Sequence, residues 1–351
     1  MTTTLVRPAA TLTLGPNWFS PVMGTGIVAV AAASLPAHLP GLRTVATAVW
    51  AVAAGALVTL IAAWSRHLRG QTLRRYADDP VMAQFWGAPP MALMTVGAGA
   101  LLLGRDWIGE RAAVALDTVL WTAGTLLGLA VAVAVPYLMM TRHRIAPDAA
   151  FGGWLMPVVP PMVSAATGAL LVPHAADPRD LLLACYAMAG VSFFAALVVI
   201  AQIWGRLVVH QVGAAKAVPT LWIVLGPLGQ SVTAVHLLGR AGGGIADQIA
   251  PLYGVPVMGF ALFWMALAAA LTVRAARAGL PFSLTWWSFT FPVGTLVTGM
   301  NGLAARTGSP AVAALAVLLY AFLVAAWLLV AVRTVRGVRP LTRWSVLDLG
   351  A

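Results

Sequence analysis

Few polar side chains interrupt the long apolar runs of this 351-residue chain, and those few are the groups that could contact a solute. The motif GPLGQS, residues 226–231, places Gln230 and Ser231 after Pro227 and among glycines that weaken a regular helix. A buried amide costs free energy unless it has a hydrogen-bond partner. Gln230 is therefore the leading neutral ligand for a solute, and a purely structural hydrogen bond between two helices is the alternative.

A second motif of small residues is MGTG at residues 23–26, in which Gly24 and Gly26 flank Thr25. Small residues let two helices pack closely. They also thin the wall of a pore and leave backbone amides accessible to a solute. The motif thus fits a tight helix crossing and a direct solute contact alike.

Residues that usually support catalysis or metal binding are scarce. Cys185 is the single cysteine, which excludes an internal disulfide and a thiolate cluster. No two of the six histidines are spaced four residues apart, so neither a metal nor a cofactor is expected. His236 is the one histidine inside an apolar run, near its end, where it could reach the membrane interface or sense pH.

The composition is that of an integral membrane protein. Hydrophobic residues make up 61% of the chain and charged residues 9%, whereas about a quarter of residues are charged in soluble domains. The formal charge is +11, but the arginines lie in short clusters between apolar runs. Such clusters are typical of membrane topology signals, so lipid and not nucleic acid is the expected partner.

Ten apolar runs are long enough to cross the ~30 Å hydrocarbon core of a bilayer as helices, which predicts an all-α membrane fold. They lie within a transport domain at 16–332, between a cytoplasmic N-terminal segment at 1–15 and a cytoplasmic basic tail at 333–351. The expected spans are 16–35, 43–63, 85–104, 113–140, 153–172, 181–204, 219–239, 251–273, 284–304 and 310–332.

The basic residues predict the orientation of these spans. If both termini are cytoplasmic, 15 of the 21 Lys and Arg residues fall in cytoplasmic segments and six in outer ones. This bias follows the positive-inside rule. We therefore expect a multi-pass protein of the cell (inner) membrane with both termini in the cytoplasm.

A tryptophan-led pattern repeats along the chain, and it divides the ten spans into five helical hairpins. The intervals between successive tryptophans are 68, 68, 68 and 64 residues. Each tryptophan precedes an odd-numbered span that contains proline, and proline bends a helix by removing a backbone hydrogen bond. Freed carbonyls must be satisfied by protein or water, so the odd helices are expected inside, around a cavity. The repeated residues are Trp18, Trp86, Trp154, Trp222 and Trp286.

This interior path carries hydroxyl and amide groups but no carboxylate, which favours an anion over a cation. Ends of broken helices present partly positive amides, and weak neutral contacts allow an ion to leave again. The residues expected to line the path and contact the substrate are Gly24, Thr25, Gly26, Pro90, Thr95, Pro161, Ser164, Pro227, Gln230, Ser231, Pro292 and Thr295.

The segments WFSPVMGTGIVA, GPLGQS and WWSFTFPVGT resemble the tellurite-resistance/dicarboxylate transporter family. That family includes slow-type anion channels, malic acid transporters and sulfite efflux pumps. The resemblance implies five hairpins in quasi-fivefold order around a central pore, commonly assembled as a homotrimer. It also implies that an aromatic side chain in the ninth span closes the pore. The matching residue is Phe291, and Phe289 is the alternative if the register shifts by two.

The expected function is transport of small anions, either C4-dicarboxylates such as malate or small oxyanions such as sulfite, without catalysis. One alternative is a membrane-embedded enzyme that acts on a lipid or quinone. It would need clustered His, Asp or Glu at a membrane face, and Asp78 with Asp79 form the one adjacent pair of acids. A non-transporting membrane sensor is the other alternative. The residues alone do not separate a channel from a proton-coupled carrier.

Overall fold

The computed structural model of the chain describes residues 14–37, 39–67 and 70–347, and every regular element within these ranges is helical. The expected segment 1–15 lies almost wholly outside the described residues. The expected tail from 333 continues the last helix to Leu347, and its final four residues lie outside. The helices are α1 (Ser20–Ala33), α2 (Leu42–His67), α3 (Gly70–Asp78), α4 (Ala88–Gly99), α5 (Arg105–Ile108), α6 (Glu110–Thr141), α7 (Pro160–Leu171), α8 (Pro178–His210), α9 (Leu225–Gly242), α10 (Gly244–Arg277), α11 (Phe291–Thr307) and α12 (Pro310–Leu347).

Seven helical stretches of the described chain are long and apolar enough to cross a membrane. The three remaining expected spans fall on α1, α7 and α11, which contain 14, 12 and 17 residues. The seven stretches are Leu42–Arg66, Met82–Ile108, Glu110–Thr141, Pro178–His210, Ala215–Gly242, Gly244–Arg277 and Pro310–Gly337.

Burial divides the helices into two classes. The stretches Met82–Ile108 and Ala215–Gly242 are 89% and 78% buried in their most apolar windows, and α1, α7 and α11 are also mostly buried. The other five stretches are only 22–28% buried and expose Leu, Val and Phe side chains. An exposed apolar surface of this extent suits contact with lipid.

The packing follows the same division. Each mostly buried helix packs against a long exposed one that follows it: α1 with α2, α4 with α6, α7 with α8, α9 with α10, and α11 with α12. The buried helices also contact one another in a closed order, from α1 to α4, α7, α9 and α11 and back to α1. The five buried helices therefore form the inner layer of the structure.

A short 3-10 segment precedes every buried helix and contains the repeated tryptophan. In four of the five cases, proline stands at the first or second position of the α-helix that follows, and in α9 Pro227 stands third. The sequence had suggested bends inside these helices. Proline is instead placed where its missing N–H leaves no hydrogen bond unmade, so it starts the helix without breaking it. The segments are Pro16–Phe19, Met82–Gly87, Gly152–Leu155, Ala215–Val224 and Leu284–Phe289.

Candidate functional site

A cavity inside the inner layer, which we call the distal cavity, has a volume of about 360 Å³. All five buried helices contribute to its wall, mostly through residues in their later turns. Its polar lining consists of hydroxyls, amides, one imidazole and one guanidinium. The polar lining residues are Ser34, Thr95, Thr167, Gln230, Thr233, His236, Arg240, Thr298 and Asn301.

A second, much smaller space, the proximal chamber, lies among the beginnings of the same helices. Its volume of about 20 Å³ is close to the minimum that holds one water molecule. The wall is mostly apolar and includes Ser20, Met23, Phe85 and Pro292. Because early residues of the helices line one space and later residues the other, the two spaces follow one another along the inner layer.

Phe291 lines both the distal cavity and the proximal chamber. Its side chain is 3% exposed, and it is the first residue of α11. Phe289 belongs to neither lining. Its ring packs edge-on against Trp222 with centroids 5.3 Å apart, and against Trp286 at 5.9 Å. Of the two aromatic candidates, Phe291 therefore stands between the two spaces and Phe289 belongs to an aromatic cluster beside them.

Gln230 is one of two buried amides in the lining of the distal cavity. Its side chain is 4% exposed and has no hydrogen-bond partner among the described residues. Asn301 is 2% exposed and donates to the Ala31 carbonyl and the Ser34 hydroxyl, at 3.0 Å each. The side-chain N–H donors of Gln230 are thus free to bind a solute, whereas those of Asn301 already donate to other residues.

The electrostatic character of the distal cavity is neutral to positive. His236 and Arg240 stand one turn apart on α9, and no carboxylate belongs to the lining among the residues that the structure describes. Arg240 forms no ion pair in the described part of the chain, while its neighbour Arg306 pairs with Asp247 at 3.0 Å. An uncompensated guanidinium at the end of a polar cavity attracts anions and repels cations.

Several residues expected in the path line neither space, because they hold helices together. Gly24 faces Trp287 and Thr290, and Gly26 faces Thr95. The Thr25 hydroxyl accepts a hydrogen bond from Trp327 of α12 at 3.1 Å. Gly24, Thr25 and Gly26 of the MGTG motif therefore form a tight helix crossing, and Met23 of the same motif lines the proximal chamber.

The remaining expected residues of α4, α7 and α9 also face neighbouring helices. Pro90 lies against two glycines of α6. The Ser164 hydroxyl accepts from Thr125 at 3.0 Å, and that of Ser231 accepts from Tyr253 at 2.8 Å.

Three further expected residues are buried outside both linings. Thr295 donates to the Pro292 carbonyl at 2.6 Å. Pro161 and Pro227 lie in the first turns of α7 and α9. Of the expected path residues, Thr95 and Gln230 line the distal cavity and Pro292 lines the proximal chamber. His236, the possible pH sensor, and Phe291, the expected gate, also line the distal cavity.

The site residues expected from the sequence omit six polar residues of this cavity. Thr233 and Thr298 have hydroxyl oxygens 2.7 Å apart across α9 and α11, and Ser34, Thr167, Arg240 and Asn301 complete the set. Gln230, Thr233, His236 and Arg240 recur every three or four residues, which places them on one face of a helix. That spacing was the available signal.

Metal chemistry finds no support in this site. Over the described ranges, no three His, Cys, Asp or Glu side chains come together in a way that could hold a metal ion.

An inner layer of buried helices, an outer layer of apolar ones and a polar cavity without carboxylates together define a multi-pass membrane protein suited to anions. The family model SLAC1, described as a voltage-dependent anion channel, matches residues 13–335. The chain therefore belongs to the SLAC1 family of anion channels and transporters, and the relationship expected from its motifs is confirmed.

Proteins of similar sequence that are named as transporters support the same class of membrane transport protein. The chain is 28% identical over 314 residues to the sulfite efflux pump SSU1 of Trichophyton rubrum, which covers 84% of this chain and 83% of that protein. It is 26% identical over 344 residues to the SSU1 pump of Arthroderma otae, covering 91% and 89%. An uncharacterized transporter of Methanocaldococcus jannaschii is 27% identical over 292 residues, or 82% of each chain. The family and these relatives are channels and transporters, not enzymes.

Proposed function

We propose that the chain transports small anions across the membrane through the ring of α1, α4, α7, α9 and α11, and that Phe291 is the gate. The observation that carries the proposal is that this one ring lines both the distal cavity and the proximal chamber. An anion that moves from one space to the other must pass it. Aromatic displacement is therefore the opening step.

The preference for anions rests on the polar groups of the distal cavity. Arg240 supplies long-range attraction and the free amide of Gln230 supplies a short-range donor. A cation path would need carboxylates, and the described lining has none. Neutral donors bind an anion more weakly than a buried guanidinium, which allows release on the far side.

Sulfite is the substrate we propose first, because the two designated fungal relatives are sulfite efflux pumps. C4-dicarboxylates such as malate are the second class, since a cavity of about 360 Å³ accommodates either type of anion. Competition between the two substrates in the same flux assay separates them.

The proposed topology has ten membrane crossings arranged as five hairpins in quasi-fivefold order around the path. Together with its 3-10 segment, each short buried helix approaches the ~20 residues that cross a bilayer. The excess of basic residues on the side where the buried helices begin favours a cytoplasmic location for that side and for both termini. A homotrimer in the inner membrane completes the proposal.

Anion flux in proteoliposomes tests the gate directly. We expect Phe291→Ala to raise the initial rate of sulfite flux by about tenfold or more, which corresponds to a barrier lowered by at least ~1.4 kcal/mol. Phe289→Ala is the matched control, because it removes another buried phenylalanine ring from the neighbouring aromatic cluster. Its flux should stay near that of the wild type.

Two outcomes would contradict the proposal. Equal flux in wild type and Phe291→Ala, with both proteins eluting as folded species, would remove Phe291 as the gate. A larger effect of Phe289→Ala would move the barrier into the aromatic cluster around Trp222.

A further inference from the structure

A third cavity, which we call the vestibule, lies at the side where the buried helices begin and has a volume of about 430 Å³. Its wall comes from the connections that precede α4, α7, α9 and α11 and from the C-terminal part of α8. The residues important here are Phe85, Arg144, Asp148, Arg206, Lys216 and Thr285.

The vestibule is strongly positive. Arg144, Arg206 and Lys216 face one carboxylate, that of Asp148, and none of the four forms an ion pair within the described residues. Arg206 donates to the backbone carbonyls of Asp148 and Val212, at 3.0 and 3.1 Å. These neutral acceptors fix the position of the guanidinium without cancelling its charge.

The vestibule also adjoins the proposed path. Phe85 lines both the vestibule and the proximal chamber, and Thr285 of the vestibule directly follows Leu284 of the chamber. The Thr285 hydroxyl donates to the Lys216 carbonyl at 3.2 Å, which joins two of the connections. The three spaces therefore follow one another in order: vestibule, proximal chamber and distal cavity.

We propose that the vestibule is an anion-capture site, in which Arg144, Arg206 and Lys216 concentrate the small oxyanion before it passes Phe85. This inference rests on the proposed function and adds the step that precedes the gate. Clefts lined by one sign of charge raise the local concentration and the association rate of an oppositely charged ligand by about 10- to 1000-fold. The distal cavity, with Arg240 as its one guanidinium among the described lining, attracts anions less strongly.

The test uses the double variant Arg144→Gln with Lys216→Gln, because both side chains are exposed and Arg206 is held by the backbone. It is made in the Phe291→Ala background so that gating does not limit the rate. The KM for sulfite flux is measured in vesicles of neutral phosphatidylcholine at ionic strengths of about 0.01 M and about 1 M, where the screening lengths are ~30 Å and ~3 Å.

We expect the double variant to raise the KM about tenfold or more at low ionic strength, at the lower end of measured steering effects. The difference should disappear at high ionic strength. The control is Arg74→Gln with Arg75→Gln, which removes two exposed charges of α3 that line no described cavity. Its KM should follow that of the parent at both ionic strengths.

Three results would overturn the capture site. The first is an unchanged KM in the double variant, and the second is an equal rise in the control. The third is an effect that appears only when anionic lipid is added to the vesicles, which would assign the vestibule to a lipid phosphate. Loss of flux in the Phe291→Ala parent itself would instead contradict the proposed function, so the two failures are distinguishable.

Discussion

Gln230 is the side chain whose environment best explains how an anion could be held and released. It is almost completely buried, faces the distal cavity and keeps its amide donors free within the described structure. A buried neutral amide that lacks a hydrogen-bond partner costs free energy. In the proposed path, contact with a passing anion recovers that cost without the strong attraction of a buried cation.

Replacing Gln230 by leucine should weaken anion binding while it preserves the volume of the cavity wall. A hydrogen bond to a charged group contributes about 1.5–3 kcal/mol, which corresponds to about 10- to 100-fold in the dissociation constant. Isothermal titration of the detergent-solubilised protein with sulfite measures this change.

Ser231→Ala is the control for that experiment, because the Ser231 hydroxyl bonds Tyr253 and faces away from the cavity. It should leave the dissociation constant within about twofold, since no donor to the anion is lost. Equal weakening in both variants would show that Gln230 acts through the helix and not through contact.

The sequence predicted which residue types line the cavity, but it did not predict which of the neighbouring side chains face it. Gln230 and Ser231 are adjacent, so they point about 100° apart on a helix, and only the position of the neighbouring helices decides which faces the cavity. Phe289 and Phe291 differ for a related reason. The first ends a 3-10 segment and the second begins α11, and that boundary is not visible in the pattern of aromatics.

The 3-10 segments are the elements that bring the starts of the buried helices together. Gly87 lies on the carbonyl of Met156, and Gly152 lies on the carbonyl of Thr220. A Cβ atom at either position would overlap a backbone atom. These contacts join successive repeats at the end of the inner layer where the proximal chamber lies.

Gly152→Ala should therefore destabilise the protein by about 1–3 kcal/mol or more, the usual cost of an overpacked contact. The apparent Tm in detergent measures the effect. Gly190→Ala is the control, because Gly190 is in the middle of α8 and no atom lies within 4 Å of its would-be Cβ. Alanine is the better helix former by about 1 kcal/mol, so this variant should keep or raise the Tm. A similar fall in both variants would contradict the packing argument.

The five tryptophan-led segments were predictable from the sequence, but the role of their prolines was not. The five tryptophans correctly marked the beginnings of five similar segments, and all five lie in 3-10 segments. Pro21, Pro90, Pro161 and Pro292 then occupy the first turns of helices. A proline at N1 and a proline at a kink look alike in sequence because both lie within an apolar run.

For the whole molecule, composition predicted the membrane class, and the proline-containing repeat predicted an inner and an outer layer of helices. The number of membrane spans is harder to predict. Hydropathy identifies long apolar helices, and the buried helices α1, α7 and α11 are too short to qualify as spans on their own. Their place becomes evident from the closed order of contacts, which depends on residues far apart in the chain.

In the proposed path, the vestibule side and the distal cavity communicate past Phe291, and the accessibility of an introduced cysteine shows whether they do. Thr298→Cys, made with Cys185→Ala, puts a single thiol in the distal cavity, since Cys185 is buried and lines no described cavity. A small anionic thiol reagent is applied to inside-out and right-side-out vesicles.

We expect the thiol to react from the distal side in both Phe291 and Phe291→Ala proteins. From the vestibule side it should react slowly when Phe291 is present and rapidly in Phe291→Ala. Equal rates from the vestibule side in the two proteins would contradict the claim that this ring closes the path.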